Sequence, residues 1–321
     1  MNPNITVLIT VRNSKDIIRK CIDSILKLNY PKNRYKILVI DAFSTDGTFE
    51  ILQNYGNKIV LKRLEGKPPK AYNYALNIIK TEFTAITNAD CIVDKNWLKE
   101  IIKPFEDKQV MAVAGIAKNP IKTTSKLQSI IGRELEDRYN HFPREITRAP
   151  EMNLCLRTSI ARKLKFDEKL DVSYDADFGY RLTSKYGKII YQSLAIIYHY
   201  HRASWKGFFK QQFTYAKFVP RNYLKKHLTK IKGDEISKTS FVLQILFIYL
   251  IFLGLLSAMF NLSFLYFPIT IFSFLLISYL IDIIKLSRSI DDIFWFLILF
   301  IVRNIAWSIG IPIGVINMFK N

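Results

Sequence analysis

From Phe241 to Ile281 the chain runs 41 residues without a charge, and no other feature restricts its fold as much. A helix rises about 1.5 Å per residue and needs roughly 20 apolar residues to cross about 30 Å of hydrocarbon, so the run is long enough for two crossings. Asn261 to Ser263 is the natural break between them. We read spans over about 241–261 and 264–284, with Asp282 and Lys285 marking re-entry into water. A buried helical pair in a soluble protein fits poorly, because few core helices stay uncharged for so long. A third apolar stretch, 293–319, carries Arg303, Gly310, Pro312 and Gly314. Spanning, lying tilted and breaking midway are all compatible with it.

The charge lies elsewhere. There are 47 Lys and Arg against 27 Asp and Glu, a formal net charge of +20, and half of all residues are apolar, which excludes a disordered chain. Only four basic and three acidic residues lie from Phe241 onward, leaving +19 on residues 1–240. Residues 202–238 hold ten Lys or Arg against Asp234 and Glu235. The positive-inside rule places this segment and the domain before it in the cytoplasm, and Lys285 and Arg288 agree with a return to that side. The expected organisation is a globular domain over 1–200, a basic amphipathic interfacial segment over 201–240 and a membrane domain over 241–321, in a multi-pass protein of the cell membrane. Membrane lipids are expected partners, since each basic side chain gains up to about 1 kcal/mol near anionic headgroups. Nucleic acid is the rival for a basic surface, but no zinc spacing or RNP-type aromatic motif accompanies it, and none is expected to bind. Cys21, Cys91 and Cys155 are odd in number and scattered, which predicts a reducing compartment and no metal cluster. Met1 to Asn4 leads straight into a strand pattern, so no signal peptide is expected.

The soluble part begins with a β-branched run, Ile5 to Ile9, ending in Thr10-Val11-Arg12-Asn13. Such a run reads as a buried strand with polar residues at its C-terminal edge. Ile17, Ile18, Cys21, Ile22, Ile25 and Leu26 then recur at helical spacing within 16–28, with Ser14 as the N-cap. Tyr35 to Ile40 is a second strand ending in Asp41, followed by a helix over about 48–56 and a third strand over 58–64. This rhythm predicts an α/β fold with a largely parallel central sheet, which binds ligands beyond the carboxyl ends of its strands. Arg12, Asn13, Asp41 and Ser44 then surround one crevice. Gly66 to Leu76 opens a helix whose N-terminus carries Lys67 and Lys70, a place that favours phosphate. Phe83 to Thr87 is a strand ending in Asn88-Ala89-Asp90, and a carboxylate there suits Mg²⁺ or Mn²⁺. A turn or cap role for Asp90, and a solvated role for Lys67, also fit the local sequence.

Taken together, the order of these segments resembles the family two glycosyltransferases, nucleotide-sugar transferases of GT-A fold. Val39 to Thr48 is similar to the family segment after the second strand, with Ala42 where an acid or amide is usual; the resemblance puts Asp41 on the nucleobase. Asn73 and Ala75 fit the family's Ala-x-Asn-x-Ala helix. Asn88 to Asp94 resembles the Asp-x-Asp metal motif with Asn88 in place of the first acid. The implied donor-side residues are Val11, Arg12, Asp41, Ser44, Lys70, Asn73, Asn88 and Asp90, and the implied cofactor is Mn²⁺ or Mg²⁺. Asn153 to Arg157 looks like the acceptor-side strand. Ser173 to Leu182 resembles Glu-Asp-x-Asp-Leu-x-x-Arg-Leu, placing Asp175 on the general base, with Tyr174 in place of the Glu. An N-cap role for Asp175 with Asp177 as a first-turn acid is also permitted. His201 is a further candidate metal ligand. Ser204 to Lys217 is similar to the interfacial helix of membrane members, with Gln211 or Gln212 keeping part of Gln-x-x-Arg-Trp. Asn153, Asp177, Arg181, Gln211 and Gln212 are thus the implied acceptor-side residues.

The chemistry expected of this set is inverting displacement at an anomeric carbon: a cation at Asp90 offsets charge on the leaving diphosphate while Asp175 takes a proton from the incoming hydroxyl. The expected partners are a nucleotide-sugar donor and a lipid-linked saccharide, polyprenyl phosphate or growing glycan as acceptor. A processive polysaccharide synthase and a non-catalytic, membrane-bound sugar-nucleotide binder are the alternatives. The few spans weigh against the first; Asn88 and Tyr174 suggest the second.

Overall fold

The apolar N-terminal run becomes β1 (Ile5–Val11), buried along nearly its whole length. Buried on both faces, it takes parallel partners on both sides, β2 (Tyr35–Asp41) and β4 (Phe83–Asn88), with Ile5 opposite Tyr35 and Phe83. β3 (Val60–Arg63) extends the parallel half beyond β2. The sheet then turns mixed. β8 (Asn153–Arg157) runs antiparallel between β4 and β6 (Val110–Lys118), because the chain enters it from the edge where β4 ends, Thr87 facing Asn153. β9 (Lys188–His199) is parallel to β6 and antiparallel to β5 (Cys91–Val93) and β7 (Glu145–Ile146). The order is β3-β2-β1-β4-β8-β6-β9-β5, with β7 on β9, so the parallel expectation describes the N-terminal half.

This computed structural model describes residues 2–120, 122–123, 125–221, 234–236 and 239–320. All the Lys residues between 222 and 238, on which the interfacial reading draws, lie outside them.

The helix α1 (Ile18–Leu26) buries Ile18, Cys21, Ile22 and Ile25 on one face. Ser14 is not its N-cap; Ile17 holds that position, and Ser14 is drawn toward the neighbouring loop by an N–H bond to Thr48 Oγ1 at 2.8 Å. The helix α2 (Thr48–Gln53) stops short of 56 and is followed by a tighter turn at Gly56–Lys58, which also shortens β3. α3 (Pro68–Ile78) starts on two prolines, which its unbonded first turn tolerates. α4 (Trp97–Ile102), α6 (Thr158–Leu164) and α7 (Tyr174–Lys185) complete the layers, and Tyr72, Ile86, Leu154 and Phe178 share one core.

The chain divides into two compact units, Met1–Ile121 with Arg138–His201, and Lys122–Asp137 with Arg202–Asn321. The helix α5 (Lys126–Asn140) therefore gives most of its length to the second unit, although it lies within the stretch 1–200. That unit adds α8 (Trp205–Val219), α9 (Thr239–Ala258), α10 (Tyr266–Leu286) and α11 (Ile290–Lys320). Among the described residues, three stretches are long and apolar enough to cross a membrane: Ser240–Ala258, Leu262–Leu286 and Ile290–Phe319. Asn261 makes the break, its Oδ1 accepting the Ser263 N–H at 2.9 Å. α11 is continuous, with Pro312 inside it.

Polar and small residues hold the second unit together. Gln244 donates to Ser278 at 2.9 Å, and Asn304 bonds both Gln244 and the Tyr279 hydroxyl, joining α9, α10 and α11. Arg133 of α5 forks onto Asp292 at 2.6 and 2.7 Å, Lys126 reaches Asp291 and Asp292, and Glu134 pairs with Arg303. Gly310 and Gly314 lie one helical turn apart against α8. A Cβ at Gly310 would fall 2.5 Å from Ala216 Cβ, and one at Gly314 would fall 2.3 Å from the Lys217 carbonyl oxygen. Small residues at this spacing let two helix backbones approach closely.

Candidate functional site

β1 and β2 end side by side, Val11 opposite Asp41, and the loops beyond them are bound to each other. Asp41 is fully buried, and its Oδ2 accepts from the Ser44 N–H at 3.1 Å and Arg63 Nε at 3.2 Å. The Arg63 guanidinium lies 4.4 and 4.2 Å from the ring centroids of Phe43 and Phe49. Asn13, in the left-handed region at φ 53°, donates its N–H to Ser44 Oγ and accepts the Thr45 N–H. Asp46 accepts from Thr48 and from the Lys15 N–H; burial opposes its ionisation, but these hydrogen bonds hold its carboxyl below the usual range. The Val11 carbonyl accepts the Ala42 N–H, and Arg12 and Lys70 are exposed. Lys67 pairs with Asp171.

β4 ends at Asn88, and Asp90 follows at the turn into β5. Because β5 pairs with β9, Cys91 lies opposite His199, and His199 Nε2 comes within 3.4 Å of Asp90 Oδ1. Asp90, Cys91 and His199 offer ligand atoms all within 4.8 Å of one another. His201 stacks edge-on against His199, with centroids 4.2 Å apart. The carboxylate oxygen and imidazole nitrogen suit a Mn²⁺-type cation, and the buried Nδ1 of His199 has no hydrogen-bond partner among the described residues. Cys91 fits less well, since burial and then the charge of Asp90 push its thiol up, away from the thiolate a metal takes. Of the three scattered cysteines, Cys91 alone lies within reach of this candidate group among the described residues. His199 is absent from the sequence reading; its signal is the strand register, which no local motif carries.

The residues before β8 meet the start of α7. Asp175 is not the cap of that helix: Ser173, at φ 59°, precedes it, and Asp175 sits inside the first turn. Both carboxylate oxygens of Asp175 are held by Arg148, Nε at 3.0 Å and Nη2 at 3.2 Å. The Tyr174 hydroxyl donates to Glu151 Oε1 at 3.3 Å. Neither Arg148 nor Glu151 figures in the sequence reading, because both belong to the loop before β8 and meet α7 only in the fold.

Several of the expected site residues make scaffold contacts. Asn153 is sealed from solvent, donating to the carbonyls of Ile116 and Ala195 and accepting from Trp97 Nε1. Asn73 grips the Phe166 backbone at both N–H and carbonyl and also reaches Glu168. Arg181 pairs with Asp177 and caps the carbonyls of Leu164 and Lys165. Gln211 and Gln212 belong to the second unit, where Gln212 accepts from Trp307 Nε1 at 3.0 Å.

Gly179 controls how closely α7 approaches the loop carrying Arg148. A Cβ there would lie 2.5 Å from the Thr147 carbonyl oxygen and 2.6 Å from the Ala149 nitrogen. Gly179→Ala is expected to push the loop away and destabilise the domain by about 1–3 kcal/mol, read as a lowered thermal midpoint. An unchanged midpoint would show that the loop yields freely.

Residues 6–170 match Glycosyl transferase family 2. Over 100 residues the chain is 34% identical to the poly(ribitol-phosphate) beta-N-acetylglucosaminyltransferase TarS of Staphylococcus aureus, covering 30% of this chain and 18% of that protein. It is 22% identical over 232 residues to the dolichyl N-acetyl-alpha-D-glucosaminyl phosphate 3-beta-D-2,3-diacetamido-2,3-dideoxy-beta-D-glucuronosyltransferase of Methanococcus voltae, covering 66% of this chain and 71% of that one. Among solved structures, the mannosyltransferase PcManGT from Pyrobaculum calidifontis, in complex with GDP-Man and Mn²⁺, superposes with a TM-score of 0.60 at 16% identity, covering 97% of this chain and 88% of that one. That likeness extends over nearly the whole chain. With the family match spanning half its length, this chain belongs to glycosyl transferase family 2 and has a GT-A-like fold.

Proposed function

We propose that this glycosyltransferase is anchored in the membrane by its apolar helices, with its catalytic domain on the cytoplasmic side. It moves a sugar, with inversion, from a nucleoside-diphosphate sugar to a lipid-linked saccharide or polyprenyl phosphate in surface glycan or glycoprotein assembly. One observation carries the reading: Asp41 and the Asp90–His199 pair lie where parallel strands end, and β8 brings the Arg148–Asp175 pair to that same edge. Asp41 and the Asn13–Ser44 loop form the nucleoside end. Arg12 and Lys70 are exposed cations suited to the diphosphate. Asp90 and His199 hold Mn²⁺ or Mg²⁺, and His201 stands beside them. The cation, when bound, offsets the negative charge that develops on the departing diphosphate. Asp175, fixed in direction by Arg148, faces the acceptor hydroxyl and takes its proton.

The test is hydrolysis and transfer by the purified full chain across a panel of UDP- and GDP-sugars, with and without chelator. Turnover of one donor is expected, and its absence for all of them would favour a non-catalytic binder. Asp41→Ala is expected to weaken binding of the matching nucleoside diphosphate at least tenfold, about 1.4 kcal/mol, by calorimetry. Unchanged affinity would reject the nucleoside-end assignment.

A further inference from the structure

At the Arg148–Asp175 site stands one carboxyl group outside the motif. This chain has Tyr174 immediately before Asp175, where the family pattern that the segment resembles implies an acid. The Tyr174 hydroxyl, however, bonds an acid from another part of the chain, Glu151, two residues before β8. We propose that Glu151 and Asp175 act as one proton-accepting pair toward the incoming hydroxyl, with Glu151 supplying the carboxylate that Tyr174 displaced. The inference rests on the transferase reading above and adds a residue to its chemistry.

Both oxygens of Asp175 accept from one guanidinium, so Arg148 already occupies the atoms on which an incoming proton would land. A second carboxylate beside this site offers another oxygen for that proton, and two negative charges close together in a half-buried place cannot both persist cheaply.

The surroundings of Glu151 agree. Burial first, and then the negative charge of Asp175, push its carboxyl well up from the usual carboxylate range, against the opposing effects of Arg148 and the Tyr174 hydroxyl. The remaining groups that face it are the phenols of Tyr72 on α3 and Tyr139 on α5. Both are pushed up by burial and then by Glu151, and so stay neutral. The Tyr139 hydroxyl is buried without a hydrogen-bond partner among the described residues. Glu151 is only half-buried, so it is the member able to exchange a proton with solvent. In the step itself, the hydroxyl oxygen bonds to the anomeric carbon. The carbon–oxygen bond to the diphosphate breaks, and its electron pair leaves on the diphosphate. The hydroxyl proton passes to the pair and from Glu151 to water.

The test uses the full chain with water as the hydroxyl, following hydrolysis of the nucleotide sugar that the wild type accepts, as a function of pH. The wild-type rate is expected to rise with pH along an acid limb above the ordinary carboxylate range. Glu151→Gln keeps an acceptor for the Tyr174 hydroxyl but not the charge. It is expected to lower kcat about tenfold or more and to move the limb down. Asp175→Asn is expected to move the residual limb down as well, since the neighbouring charge is gone. A Glu151→Gln profile that superposes on the wild type would overturn the pairing while leaving the transferase reading intact. If the wild type hydrolyses no nucleotide sugar, that reading fails instead. Infrared titration of the donor-free protein then decides the pairing separately. A carboxyl signal absent from Glu151→Gln and titrating above the usual range supports it; titration in the ordinary glutamate range overturns it.

Discussion

Asp175→Asn is expected to lower sugar transfer to a hydroxyl acceptor by about 10²-fold or more while leaving nucleoside diphosphate binding nearly unchanged. Asn keeps the size of Asp and one oxygen for Arg148, but it cannot accept a proton. Asp175 is joined to the loop before β8, whereas the nucleoside-end residues Asp41 and Ser44 bond each other beyond β2, so donor affinity should not follow the loss. The substitution also leaves Arg148, whose side chain is 14% exposed, without its counter-charge. Thermal unfolding is therefore measured on the same sample. A folded variant within threefold of wild type on a hydroxyl acceptor would remove Asp175 from the reaction. With a polyprenyl phosphate, already an anion, the loss should be small whether or not Asp175 is a base, and comparing the two acceptors separates these cases.

Asp90→Ala should have a comparable effect on the other half of the site. It removes the carboxylate oxygen 3.4 Å from His199 Nε2, leaving an imidazole and a protonated thiol as the nearest donors. Transfer is expected to fall on the order of 10²–10³-fold, as when one stabilising partner of a developing negative charge is lost. Donor binding should lose its dependence on Mn²⁺ or Mg²⁺, which calorimetry with and without chelator reads without any turnover. Full wild-type transfer in chelator would sink the metal assignment. His199→Ala serves as the companion: a smaller loss with the same change in metal dependence is expected if it is the second ligand.

The parts legible in the sequence are those whose signal is local. Ile5 to Ile9 and Tyr35 to Ile40 read as buried strands because each is a β-branched or apolar run, the second broken only by Lys36, and Asp41 and Asp90 stand out because such runs end beside them. The uncharged stretch after Phe241 needed only counting. What escaped were pairings between distant segments. His199 meets Asp90 through the β5–β9 register, and Glu151 and Arg148 meet α7 across more than twenty residues of chain. Asn153 and Asn73 show the converse: amides in motif-like positions whose hydrogen bonds also tie distant backbone segments together. The α5 ladder of Lys126, Arg133 and Glu134 has no local signal for its pairing, since its partners Asp291, Asp292 and Arg303 lie some 160 residues away.

The glycine contact between α8 and α11 bears on hydrophobic mismatch. The 19 residues of Ser240–Ala258 make a helix of about 28 Å, close to the hydrocarbon thickness of about 30 Å, at 1.5 Å per residue. The 30 residues of Ile290–Phe319 make about 45 Å by the same rise, and a helix that long must incline or emerge. At Gly310 and Gly314 the contact of α11 with α8 leaves no room for a side chain. Were α11 to cross a bilayer, a change in membrane thickness that altered its slope would therefore be felt at α8 as well.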